Sequence, residues 1–170
     1  MANKCGGGAS TNKNGLKFEQ DTSLDEALEN AGYAVIENKV YFSGREVGLS
    51  LPKYDLYRKF LVPQEVDWQE IISKRLLPDE AIYTYRNNTM YIIEKKFQSR
   101  PGSVDEKLQT CGFKKYQYQK LLAPLGINVE YLYVCNSWFA QPQYRDVHKY
   151  ISDMGCYIFF NEIPLDFLGL

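Results

Sequence analysis

The spacing of apolar positions changes several times along the chain, and each spacing predicts an element. Leu16, Phe18, Leu24, Ala27 and Leu28 form a broken helical stripe that ends near Gly32. Residues 33–42 read as a hairpin across Asn38-Lys39, closed by Gly44. Between Pro52 and Leu77 the period becomes helical: Tyr54, Leu56, Tyr57, Phe60 and Leu61 predict one helix, and Trp68, Ile71, Ile72 and Leu76 a second. Residues 81–85 and 90–93 are rich in β-branched and aromatic side chains and predict two strands joined at Asn87-Asn88, since asparagine tolerates the positive φ of a tight hairpin turn. Ser103 followed by Glu106 has capping-box spacing and starts a helix that carries Leu108, Phe113, Tyr116 and Leu121 or Leu122 inward, until Pro124 and Gly126 stop it. A strand at 129–135, a helix at 144–154 and a strand at 156–160 complete an α/β pattern. Residues 1–14 are rich in Gly and Asn, contain Gly6-Gly7-Gly8, and read as a flexible arm before a single domain at 15–170.

The hairpin at 81–93 is flanked by candidate chemistry. Pro78-Asp79 precedes its first strand and Glu94-Lys95-Lys96 follows its second. A two-residue turn at Asn87-Asn88 places Asp79 opposite Lys96 and Ala81 opposite Glu94. Strand side chains alternate, so Asp79, Glu94 and Lys96 then project from one face. Asp79 and Glu94 become diagonal neighbours, roughly 7–8 Å apart at the backbone, a separation at which two carboxylates can share one hard cation. A lysine amine beside them can orient a water and offset charge on phosphorus. The alternative is a surface hairpin with solvated charges. Against that, the charges end an apolar run, Tyr91-Ile92-Ile93, that reads as a buried strand.

Composition narrows the class. The chain has 170 residues, 45% hydrophobic and 15% aromatic, enough for one folded core. No stretch reaches eighteen apolar residues and the polar start lacks an apolar signal core, so the expectation is a cytoplasmic protein without membrane association. Cys5, Cys111, Cys135 and Cys156 contain no Cys-x-x-Cys pair and suit reduced thiols better than disulfides or zinc. His148, the one histidine, cannot build a histidine-rich metal site and reads as a helix-surface residue.

Net charge is −1, but its distribution is uneven. Lys95, Lys96, Arg100, Lys107, Lys114, Lys115 and Lys120 cluster in and after the motif, whereas acids dominate 21–29 and 153–166. Such a split can give a positive cleft for phosphates, with binding that weakens steeply in salt. Its alternative is a solvated helix face. Lys13 and Asn14 in the arm, Arg100, and Lys114, Lys115, Gln117 and Lys120 on the predicted helix are the candidate nucleic-acid contacts. Arg58, Lys59, Lys74 and Arg75 are further cations in the 52–77 segment.

With Pro78-Asp79, Glu94-Lys95-Lys96, Phe97-Gln98, residues 102–110 and Gly15-Leu16-Lys17-Phe18-Glu19, the chain resembles the PD-(D/E)XK nuclease superfamily, and most a small type II restriction endonuclease. The resemblance implies a restriction-endonuclease-like core, a mixed central sheet flanked by helices. It implies that Asp79 and Glu94 bind Mg2+, that Lys96 assists the attacking water, and that Glu19 supplies the further acid that an N-terminal helix often contributes. Gln98 extends the motif to Glu-x-Lys-x-Gln, a form found in parts of the superfamily, or is an ordinary strand-end amide. The expected activity is site-specific hydrolysis of double-stranded DNA to 5′-phosphate and 3′-hydroxyl ends. Because one site cuts one strand, a homodimer suits a symmetric sequence. Homing, nicking or junction-resolving nucleases of the same fold remain open, as does a non-catalytic DNA-binding module.

Overall fold

The computed structural model describes residues 14–170; Lys13, Cys5 and nearly all of the proposed N-terminal arm lie outside the described residues. Nine strands and five α-helices follow in chain order. Strand β1 (Gly15–Lys17) leads to α1 (Leu24–Asn30), whose first turn is capped by the Ser23 side chain accepting from the Glu26 N–H. The chain then forms β2 (Ala34–Ile36), β3 (Lys39–Phe42) and β4 (Arg45–Ser50). After a π-helical segment at Leu56–Leu61 and two short 3-10 turns come β5 (Glu80–Thr84) and β6 (Thr89–Lys96). The second half comprises α2 (Val104–Lys107), α3 (Cys111–Leu122), β7 (Asn128–Cys135), α4 (Arg145–Asp153), β8 (Tyr157–Phe160), β9 (Glu162–Pro164) and α5 (Leu165–Leu168).

Strands β2 to β8 form one mixed sheet in sequential order. Its pairs from β2 to β6 are antiparallel. The pairs β6–β7 and β7–β8 are parallel, the first closed by the crossover through α2 and α3 and the second by α4. Alternation along the strands divides the core between the sheet's faces. Ala81, Met90, Ile92, Tyr131 and Tyr133 pack with Tyr118, Leu121 and Leu122 of α3 on one face. Ile82, Tyr91, Ile93, Leu132 and Val134 pack with Leu24, Ala27 and Leu28 of α1 on the other. This is the α/β architecture that the sequence pattern predicts, and the mixed sheet flanked by helices that the resemblance to a restriction-endonuclease-like core implies.

Several local expectations change. Leu16 and Phe18 do not start a helix: β1 pairs antiparallel with β9, Gly15 opposite Pro164, and its buried side chains enter the α1-side core. The first hairpin turns at Glu37-Asn38, one residue earlier than expected, because both residues take positive φ (49° and 69°). A further strand, β4, continues it. Gly48 of β4 meets β5 so closely that a Cβ would lie 2.3 Å from the Tyr83 carbonyl oxygen, which demands glycine there. The predicted second helix at 68–76 is only a 3-10 turn, Trp68–Glu70. Phe113 and Tyr116 of α3 point to solvent, 62% and 57% exposed, because at about 3.6 residues per turn they lie on the side of the helix opposite the buried Cys111, Tyr118 and Leu122.

The central hairpin also has a different register. Its turn spans Tyr85 to Asn88, and Glu80 pairs with Ile93 and Ala81 with Ile92, so Ala81 does not face Glu94 and Asp79 does not face Lys96. Extending the ladder by one residue sets Asp79 across from Glu94. The displacement is two residues, the period of the pleat, so every side chain keeps its expected face. The longer turn is held by side chains: Thr84 Oγ1 meets Asn87 Oδ1, Asn87 Nδ2 donates to Tyr91 Oη, and Tyr83 Oη donates to Asn88 Oδ1.

Candidate active site

The carboxyl end of β6 lies between the start of β5 and the end of β7, and Asp79, Glu94 and Lys96 converge there. The Lys96 ammonium sits between the two acids, 3.1 Å from Glu94 Oε2 and 3.7 Å from Asp79 Oδ2, and also donates to the Lys95 carbonyl at 3.1 Å. The Lys95 backbone N–H donates to Asp79 Oδ2 at 2.9 Å and fixes that carboxylate at the strand end. From α3, Lys114 Nζ approaches Glu94 Oε2 at 3.7 Å. Two acids and two lysines thus neutralise one another where the Asp79 side chain is 40% exposed and that of Glu94 only 7%. The cluster is open on the Asp79 side and closed beneath Glu94.

Tyrosines make that closed floor. Tyr118 of α3 and Tyr131 of β7 stack with ring centroids 6.5 Å apart, and Tyr133 meets Tyr131 edge-on. Burial, reinforced by the charges of Glu94 and nearby groups, pushes both the Tyr118 and Tyr131 phenols far up, so both stay neutral. The Tyr131 hydroxyl is buried without a hydrogen-bond partner among the described residues. Cys135, paired with Lys96 across β6 and β7, has its thiol pushed up to about 12 by burial and is an inert neighbour.

Only one oxygen of each acid is engaged. Asp79 Oδ1 and Glu94 Oε1 have no hydrogen-bond partner among the described residues. No group of three or more His, Cys, Asp or Glu suited to a metal occurs among them. A pair of hard carboxylate oxygens, without a closed cage, fits a small cation that keeps waters and takes substrate oxygens, the habit of Mg2+ rather than of structural Zn2+.

The other candidates separate. Gln98 follows β6; its Nε2 donates to Asp105 Oδ1 at 3.2 Å, while its Oε1 is buried and unpartnered. Asn136, just past β7, bonds both backbone groups of Gln98, donating to its carbonyl at 2.6 Å. Asp105 also accepts from Tyr144 Oη, itself bonded by the Trp138 indole N–H. This network was not read from sequence, because Asn136 and Tyr144 carry no motif and meet Gln98 only through the fold. Glu19 lies in the turn between β1 and α1, exposed, its N–H bonded to Thr22 Oγ1, with no ion pair to the cluster among the described residues. Lys115 is committed to Glu130 (3.0 Å) and the Gly155 carbonyl (2.6 Å). Gln117 is buried, Lys120 lies over the exposed Tyr116 ring, and Arg100 is exposed in the loop after β6. Asn14 is exposed, its carbonyl accepting from Leu165 N–H. His148 is half-buried against the edge of Phe160. Cys111, Cys135 and Cys156 are buried free thiols.

A carboxylate pair with a lysine at the open end of a mixed sheet is an arrangement suited to phosphodiester hydrolysis. The family model described as "PD-(D/E)XK nuclease superfamily domain" matches residues 10–118, and the chain belongs to that superfamily. The matched span contains all of Asp79, Glu94, Lys96 and Lys114. Comparisons with curated proteins and with solved structures give no match. The protein is therefore a nuclease by family; nucleases of this superfamily generally use divalent metal ions. Among the described residues, no helix is long and apolar enough to cross a membrane.

Proposed function

We propose that this protein is a Mg2+-dependent, site-specific endonuclease of the type II restriction kind, acting on double-stranded DNA as a homodimer through one catalytic domain at 15–170. The observation that carries the reading is the Lys96 ammonium held between Asp79 and Glu94 at a solvent-open sheet end, with one oxygen of each acid left free. Those two oxygens would hold the ion, which when bound supplies positive charge to the phosphate and acidity to an attacking water. The remaining work falls to the chain. The Lys95 N–H orients Asp79, and the tyrosine floor excludes water beneath Glu94. Lys96 orients the nucleophilic water for in-line attack and offsets charge building on the phosphoryl oxygens. Lys114 neutralises Glu94 and gives a second cation toward the scissile phosphate. The products are a 5′-phosphate and a 3′-hydroxyl.

The test is incubation of wild-type and Asp79→Ala protein with lambda phage DNA, in Mg2+ and in EDTA, followed by electrophoresis. Discrete fragments from wild type with Mg2+ alone support the reading. A smear replaces it with a nonspecific nuclease, and DNA left intact under every condition overturns it.

A further inference from the structure

The segment that leads into Asp79 carries a second cationic cluster built on aromatic rings. Tyr54 lies just before the π-helical segment and receives two guanidiniums: Arg58 at 5.1 Å from the ring centroid and Arg75 at 4.8 Å. Arg75 also rests over Tyr57 (5.6 Å) and Trp68 (5.5 Å), so three rings surround it. Neither arginine has an acidic partner among the described residues, whereas neighbouring Lys59 is taken up by Asp55 and Asn38. Two like charges on one ring without a counterion form an incomplete electrostatic arrangement. A cation–π contact uses no N–H donor, and neither guanidinium has a hydrogen-bond partner among the described residues, so the donors that match a phosphate in bidentate fashion remain open to it.

This cluster is tied to the active site. Tyr57 carries Arg75 on its ring and donates its hydroxyl to the Leu76 carbonyl at 2.6 Å, and the Lys53 N–H donates to the Pro78 carbonyl. Tyr57 belongs to the same core as Tyr118 of the catalytic floor. Arg75 is four residues from Asp79, so their Cα atoms lie within about 14 Å of each other. A DNA strand rises roughly 3.4 Å per nucleotide, so a separation of that order spans a few nucleotides.

We propose that Arg58 and Arg75, stacked on Tyr54, form a backbone-phosphate site that holds duplex DNA beside the scissile bond. The inference rests on the duplex-DNA reading above. The π-helical turn supplies the geometry: it presents Arg58 on the same ring as Arg75, and the aromatic faces hold both side chains in place before substrate arrives. Less rotamer freedom is then lost on binding. Such contacts position the duplex and do not read its sequence.

The test is fluorescence anisotropy with a 30-base-pair duplex, in Ca2+ without Mg2+, over a KCl series, for wild type, Arg58→Gln, Arg75→Gln and the double variant. Each lost phosphate contact should lower the slope of log affinity against log salt by about 0.9 and weaken binding roughly tenfold near 0.1 M salt. Arg145→Gln, exposed on α4, serves as the unaffected control, and Tyr54→Phe should bind as wild type while Tyr54→Ala weakens. Should the double variant fail to fold, Arg58→Gln decides alone, because its guanidinium rests on the exposed Tyr54 ring only. Wild-type affinity and salt slope in Arg58→Gln and Arg75→Gln would overturn the site even if the protein cuts DNA; salt-steep binding lost in these variants would sustain it even if no cleavage were found.

Discussion

Two acid–lysine clusters sit back to back at the end of the β5–β6 hairpin, and the contrast between them separates catalytic charge from structural charge. On the α3 side, Asp79, Glu94, Lys96 and Lys114 share contacts of 3.1 to 3.7 Å and leave one oxygen of each acid unused. On the α1 side, Glu80 pairs with Lys95 at 3.6 Å, and every strong group there is closed off by the fold. Lys95 Nζ donates to the Thr22 carbonyl at 2.8 Å, and Glu80 accepts from the Leu24 backbone at the start of α1. Residue types and spacing are nearly the same on both sides. What differs is that α1 seals one cluster with its capped N-terminus, whereas the other opens to solvent at Asp79. A paired charge becomes a site where its valence toward ligands is left unfilled.

Four experiments set the two clusters against each other. Asp79→Ala should lower metal-dependent cleavage by roughly a thousandfold or more, while its unfolding free energy from urea denaturation changes by under about 1 kcal/mol, since the side chain is 40% exposed. A large loss of stability would instead make Asp79 structural. Lys96→Met should reduce the single-turnover rate by about 10²- to 10³-fold, with metal affinity, read by calorimetry, retained through Asp79 and Glu94. Lys95→Met acts on the other side of the sheet: Glu80 loses its partner in a buried setting, and urea denaturation should show a loss of about 2–4 kcal/mol. Its cleavage rate at saturation should stay within about twofold of wild type, because the N–H that holds Asp79 is backbone and survives the substitution.

The smallest effect concerns pH. Burial raises the Glu80 carboxyl above its ordinary range, with Lys95 pulling the other way. The folded state therefore favours the protonated acid. Its stabilising contribution is complete below the unfolded pKa of about 4.3 and is lost as pH climbs through the raised folded value. Glu80→Gln removes this titration, so wild-type stability minus variant stability should fall from pH 4 upward and then level off. A difference that rises with pH would show that the Lys95 pair outweighs desolvation.

The site was more legible in the sequence than the register that builds it. Asp79, Glu94 and Lys96 share a face under both the expected and the observed pairing, because an error of two residues conserves strand parity. The turn length was misread because Asn87 works through its side chain, bonding Thr84 and Tyr91, while Asn88 alone takes positive φ. Lys114 was visible as one of several lysines, but its distinction from Lys115 comes from Glu94 and Glu130 lying on different strands beneath α3. Leu16 and Phe18 misled because β1 is three residues long and its partner, β9, is nearly the whole chain away. Short alternation without a local partner looks like part of a helical stripe. Phe113 and Tyr116 do not take the inward role expected of them for a related reason: the buried stripe of α3 runs through Cys111, Tyr118, Leu121 and Leu122, and two aromatic rings on the opposite side read as apolar in sequence while lying in solvent.

The pairing of β1 with β9 also has a consequence in time. Neighbouring strands of the large sheet succeed one another in sequence, so during synthesis each can dock onto the one before it as it leaves the ribosome. The clasp cannot. Gly15 waits for Pro164, and the Asn14 carbonyl for Leu165, until translation has passed about 150 residues beyond them. The cluster of Asp79, Glu94, Lys96 and Lys114, with the β7 tyrosines beneath it, is complete about thirty residues earlier in the order of translation. A nascent chain arrested between these two points would hold an assembled catalytic end with its first strand still unpaired.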